Sequence, residues 1–206
     1  DNTAFKGNKN ITSVAISSGV TTLANGTFSG GSALKGLTIP GSVASIPNAM
    51  CMNCTSLESI AISEGVKEFI DYAFYNCALT EIELPKTIAS ISKNVFTKCD
   101  IVSVKVLAET PPTNEEKTFE STAVPNAVLE VPSESVILYQ KANYWKDFGE
   151  IKGLELEDET PTSIETVKTE NGVAVEYYNI LGVKVENPTK GLYIKRCGNK
   201  AYKVML

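Results

Sequence analysis

The apolar positions of this chain keep a helical or a strand period only for a few residues at a time. In residues 57–77, Leu57, Ile60 and Ile62 begin as a short alternating run, Val66 and Phe69 follow three residues apart, and Ala73, Phe74 and Cys77 close the unit. The same spelling returns every 22 to 23 residues, with runs that open at Ile11, Leu34, Leu57, Leu79 and Ile101. Behind each run comes a second apolar pair: Val20 and Leu23, Val43 and Ile46, Val66 and Phe69, Ile88 and Ile91. An aromatic position follows, held by Phe28, Phe74 and Phe96, with Cys51 in its second row. Phe5 precedes Ile11 by the same interval that separates Phe28 from Leu34, so the chain opens inside a coil.

A period of this length with LxxLxL strands predicts a leucine-rich-repeat solenoid, right-handed, with parallel strands on one face and short helical or 3-10 turns on the other. No single unit of this kind buries its own apolar side, so each relies on its neighbours. Alternation within the strands places Ile60 and Ile62 inward and leaves two outward rows. Those rows hold Ser13, Gly36, Ser59, Glu81 and Ser103, and Ala15, Thr38, Ala61, Glu83 and Lys105; they form the candidate binding face. Tyr72 and Tyr75 are further exposed candidates. The predicted core columns hold Cys54, Cys77 and Cys99, and Phe28, Phe74 and Phe96. Pro40 and Pro85 end two strands, where a lost amide donor costs little, and Gly19 and Gly65 suit the bend that follows.

The expected organisation is five coils and a partial one over residues 1–107, then an irregular last coil and a helical cap over 108–153. In the cap, Ser133 is the expected N-cap of a helix bearing Val136, Tyr139, Ala142 and Trp145 at three-residue spacing. The stretch "LELEDETPTS", residues 154–163, reads as an acidic linker. Residues 164–206 alternate in short runs between the turn signals Asn171-Gly172, Asn187-Pro188, Gly191 and Gly198-Asn199, which predicts a small antiparallel β domain.

The segment "VKEFIDYAFYNC" makes the resemblance specific. The units are similar to the BspA-like leucine-rich repeats of bacterial surface proteins, which read roughly IPxxVxxIxxxAFxxCxxL, over about residues 4–107. Met50 and Cys51 replace the AF pair in one unit, and Gly31 stands at the cysteine place in another. The resemblance implies display on the cell surface or secretion, with binding to host or neighbouring-cell proteins. It also covers the VPxxS…Y…W segment of the cap. The run "YYNILGVKV…NPTKGLYIKR…KAYKVML" resembles the C-terminal sorting tails of secreted bacterial proteins.

Composition narrows the chemistry. Apolar residues make up 43% and charged residues 21% of the chain, which is ordinary for a folded protein. There is no histidine, so the commonest general base and the commonest zinc ligand are missing. No GxSxG, phosphate loop or metal-ligand spacing appears either, and the expectation is no enzyme and no cofactor. Glu81 and Glu83 lie on one face of one strand, which suits surface decoration better than glycoside hydrolysis. The net charge of −5 divides into 0 over residues 1–107, −8 over 108–160 and +3 over 161–206. No clustered basic face favours nucleic acid. No run is long enough to span a membrane, and residue 1 does not begin a leader peptide. The expected partner is an extracellular protein or glycan, and the alternatives are a spacer that displays another domain or an accessory module of an enzyme.

The cysteines invite a metal or disulfide reading, because Cys51 and Cys54 form a CxxC. Yet equivalent residues of stacked coils lie in a line roughly 4.8 Å apart and do not converge on a point, as zinc requires. Parallel side chains also aim poorly for a disulfide. The expectation is a column of reduced, buried cysteines serving as small apolar fillers, in which serine at Cys77 would bury an unpartnered hydroxyl.

Overall fold

The computed structural model describes residues 5–115, 118–120, 124–154, 175–178, 184–185, 192–197 and 200–205. They fall into two units, Asp1–Glu155 and Leu156–Leu206. In the first, a coil carries a front strand and, in most cases, a shorter back strand. These are β1 (Ser13–Ala15), β2 (Gly36–Ile39), β3 (Ser45–Ile46), β4 (Ser59–Ile62), β5 (Glu68–Phe69), β6 (Glu81–Leu84), β7 (Ser90–Ile91), β8 (Ser103–Val106), β9 (Thr113–Asn114), β10 (Val128–Val131) and β11 (Glu150–Gly153). All their pairings are parallel and join equivalent residues of successive coils, such as Leu37 with Ile60 and Ile82 with Val104. A solenoid with a shared interior follows.

The back strands form one sheet, β3-β5-β7-β9, whereas the front strands form two, β1-β2-β4 and β6-β8-β10-β11. The break has a cause in the spelling. Four residues, Cys54 to Leu57, lead into β4, but only three, Cys77 to Leu79, lead into β6. The shortened link displaces β6 from the register of β4, and the next link, Cys99 to Ile101, repeats the short form, so pairing resumes. Ile60 and Ile62 lie beside this break and are only partly buried, while Leu37, Ile39, Ile82 and Leu84 are at most 3% exposed.

Burial also changes along the stack. In the first coil Ile11, Val14, Ile16, Val20 and Leu23 are partly buried, whereas their equivalents Leu34, Leu37, Ile39, Val43 and Ile46 are essentially inaccessible. Apolar burial contributes about 25 cal/mol per Å², so most of the stabilisation resides in the inner coils. The aromatic column stacks where it is unbroken: Phe74 on Phe96 at 5.8 Å and 4°, and Phe96 on Phe119 at 5.6 Å and 13°.

The segment after β10 differs from the expected helix. A 3-10 turn, Ser133–Ser135, leads into α1 (Val136–Lys141), and Ala142 ends it with ψ 136°. Tyr144, at φ 67°, then starts a second 3-10 turn, Trp145–Asp147. Three-residue spacing suits this broken path as well as a continuous helix, because 3-10 turns eclipse residues three apart. Ser133 is not an N-cap: its hydroxyl donates to the Leu154 carbonyl. The strand β11, which pairs with β10, was not expected from the sequence. Tyr139 donates to Ala108 O and Trp145 Nε1 to Pro112 O, each at 2.8 Å.

In the second unit, β12 (Val175–Tyr178), β13 (Lys184–Val185), β14 (Leu192–Cys197) and β15 (Lys200–Met205) form an antiparallel sheet in the order β13-β12-β14-β15. The linker expected at 154–163 lies, from residue 155 on, outside the described residues, as do the four turn signals named above.

Candidate binding face

Parallel register aligns the outward residues of the front strands. Ser13 faces Gly36, and Gly36 faces Ser59; Ala15 faces Thr38, and Thr38 faces Ala61. Beyond the break, Glu81 faces Ser103, and Glu83 faces Lys105. The rows continue through β10 and β11, where Lys105 faces Glu130 and Glu130 faces Lys152. All ten candidates therefore lie on this face, most of them exposed, with Gly36, Ser103 and Lys105 half-buried. The six core-column residues are buried.

The face has two chemical halves. Its first three coils present only small uncharged side chains, and a Cβ at Gly36 would make ordinary contact with Ser59 Oγ at 3.4 Å. The second half carries charges paired along the row, Lys105 with Glu83 at 3.1 Å and Lys152 with Glu130 at 3.0 Å. Such surface pairs contribute about 0–1 kcal/mol each, so they shape the face more than they hold it.

The turn between a back strand and the next front strand is built from two left-handed positions. One column holds Gly26, Ala49, Tyr72 and Asn94, and the other Gly7, Gly30, Asn53, Asn76 and Lys98, all at φ between 53° and 73°. This backbone aims alternate amides at the next coil, as in Cys51 N to Ala73 O at 2.8 Å and Asn53 N to Tyr75 O at 2.8 Å. The cysteines complete the link in the other direction. Cys54 donates to Phe28 O, Cys77 to Cys51 O and Cys99 to Phe74 O, at 3.1 to 3.2 Å.

Among the described residues, Cys51, Cys54, Cys77 and Cys99 are free and buried. Cys54, Cys77 and Cys99 are more than the apolar fillers expected, because each of these three thiols serves a buried carbonyl of the preceding coil, while Cys51 bonds the Cys54 side chain. The expectation for serine at Cys77 fails on the same ground, since its hydroxyl would find Cys51 O. Burial pushes the Cys51 and Cys77 thiols well above the ordinary value and Cys99 up to about 11, whereas the hydrogen bond with Cys51 lowers Cys54. A protonated thiol is the form that donates.

Parallel strand ladders with a regular asparagine-, cysteine- and phenylalanine-bearing turn define a leucine-rich-repeat solenoid. The chain belongs to the BspA type leucine rich repeat family, which matches residues 1–135 in six copies. Among solved structures, it is similar to a leucine-rich repeat protein from Bacteroides ovatus at 14% identity and a TM-score of 0.42, with 69% of this chain and 43% of that one covered. It is also similar to a leucine rich cell surface protein from Faecalibacterium prausnitzii at 13% identity and a TM-score of 0.32, with 71% and 80% covered. The chain thus spans less than half the length of the first. No curated protein matches it. Among the described residues, no helix is long and apolar enough to cross a membrane.

Proposed function

We propose that this chain is a non-catalytic binding module, displayed on a cell surface or secreted, that engages an extracellular protein or glycan through its front strands. The observation that carries this reading is the pair of outward rows, continuous in register from Ser13 to Ala61 and small enough to let a partner approach the backbone closely. Family membership supports it. The test is binding of the 206-residue chain to a panel of extracellular-matrix proteins and glycans, with Thr38→Arg and Ala61→Arg as variants whose long cations obstruct the rows. Binding that both variants abolish, with unchanged melting, supports the front face. Binding that both retain refutes it.

A second reading is a spacer that holds another domain at a distance. It is favoured by the lack of aromatic and arginine anchors, the residues that dominate tight interfaces, among the candidates of the front rows. Uniform absence of binding across the panel selects it.

Within either reading we take residues 108–153 as a closing unit. Tyr139 and Trp145 satisfy carbonyls of the last coil while their rings cover its apolar end. We read the second unit as a small accessory β domain, and its likeness to sorting tails makes it a candidate export signal.

A further inference from the structure

The turn edge carries a second cluster of polar and aromatic side chains, away from the front strands; Asn53 and Lys98 are exposed, whereas Tyr72 and Tyr75, expected to be exposed, are half-buried, as is Asn76. Tyr72 occupies a left-handed position, φ 62°, whose equivalents in neighbouring coils are Gly26, Ala49 and Asn94. Glycine and asparagine adopt this backbone readily, whereas a tyrosine is strained there. Strain of this kind persists where the surrounding structure over-determines the backbone, here the turn repeated in each coil; Ala49 carries it as well, but only Tyr72 adds an aromatic ring at this position. Tyr72 meets Tyr75 edge to face, with ring centroids 5.6 Å apart and planes at 65°. Lys98, also left-handed at φ 62°, brings its ammonium to 5.2 Å from the Tyr75 centroid. Beside them Asn76 Nδ2 donates to Asn53 Oδ1 at 2.9 Å. That bond uses one donor hydrogen of Asn76 and one acceptor site of Asn53, so each amide keeps further hydrogen-bonding capacity.

We propose that this edge is a carbohydrate-binding ledge for an oligosaccharide carrying carboxylate groups. Tyr72 supplies the apolar surface on which a pyranose rests, beside the Tyr75 ring that carries the Lys98 ammonium over one face, and Asn53 and Asn76 bond its hydroxyls. Lys98 pairs with its carboxylate. The chemistry selects a sugar acid because half-buried rings, amides and a single exposed cation stand together at one edge. Aspartate and lysine next to them, Asp71 and Lys93, already face each other at 3.6 Å. The geometry selects a chain of sugars because Asn53, Asn76 and Lys98 are equivalent residues of successive coils, set in a row at a step of roughly 4.8 Å. The ledge is distinct from the front strands, so it stands or falls independently of the function proposed above.

The test is a chemical-shift titration of the whole chain with oligogalacturonate and, separately, with a neutral galacto-oligosaccharide of the same length. The expected result is movement of the Tyr72, Tyr75 and Asn76 amides with oligogalacturonate, weaker movement with the neutral sugar, and loss of that difference in Lys98→Asn. Tyr72→Gly is the decisive variant. It should melt roughly 2–4 °C higher, because the backbone strain is relieved, while its affinity falls about tenfold or more. Thr38→Arg should leave the titration unchanged. The proposal is overturned if the edge amides do not move at millimolar sugar, if the neutral sugar binds as well as the acidic one, or if Tyr72→Gly binds like the wild type. Movement of these amides with a protein of the panel alone would likewise overturn the assignment to carbohydrate.

Discussion

Replacing Gly41 by alanine is expected to force the second and third coils apart. A Cβ at Gly41 would lie 1.7 Å from Glu64 O and 2.8 Å from Glu64 C, and a Cβ at Gly65, itself at φ 111°, would lie 2.4 Å from Gly41 O. The obstructing atoms are backbone, so no side-chain rotation relieves them. Ordinary contact starts at 3.4 Å, which leaves a deficit of 1.7 Å. The inter-coil hydrogen bonds on either side, Ser63 N to Ile39 O at 3.0 Å and Lys67 N to Ala44 O at 2.8 Å, cannot survive such a separation. Two net hydrogen bonds contribute about 1 kcal/mol each, and overpacking costs about 1–3 kcal/mol, so the loss is about 3–5 kcal/mol. For a unit of this size that is a fall in Tm of roughly 6–20 °C. Gly19→Ala is the control, because its Cβ meets nothing nearer than Ser17 Oγ at 3.9 Å. Differential scanning calorimetry decides: a Gly41→Ala variant that melts within 2 °C of Gly19→Ala, on the scale of roughly 2–4 °C per kcal/mol, refutes the close approach.

Other substitutions test other parts of the stack. Asn114 stands in the column of Ile46, Phe69 and Ile91, with its side-chain amide buried and unpartnered, so Asn114→Leu should stabilise by about 1–3 kcal/mol in urea unfolding. Ala49→Gly, at φ 53°, should raise the urea midpoint by the equivalent of about 1 kcal/mol, and a lowered midpoint would contradict the left-handed assignment. The raised Cys99 thiol means that the folded state holds its proton to higher pH than the unfolded chain does. Stability from this group is therefore complete below the unfolded value of 9.0 and lost as pH rises through about 11, on the order of 3 kcal/mol in all. Melting followed from pH 8 to 11 checks the sign, and the loss should shrink in Cys99→Ala.

The period, the outward rows and the core columns were legible because stacking repeats one environment at one spacing, and each environment admits few residue types. The Cys54–Cys77–Cys99 column was legible as buried, but its hydrogen bonds were not, since a donor role depends on where the preceding coil places a carbonyl. The sheet break was written in the shortened link Cys77 to Leu79, yet its consequence needed the register on both sides. The strand β11 is not legible in the sequence because "EIKG" has only one strongly apolar residue, and its strand identity comes from pairing with β10. The strain at Tyr72 has no signature in composition, although comparison with Gly26 and Asn94 one coil away reveals it.

Amide hydrogen exchange in mild denaturant tests most directly whether the coils share one interior. The amides of Lys67, Ala89 and Val102, each bonded to the preceding coil, should exchange together through a single cooperative opening, while the Ile16 amide of the half-exposed first coil exchanges sooner. Coils that open one by one, each at its own free energy, or an Ile16 amide that outlasts the other three, would contradict it.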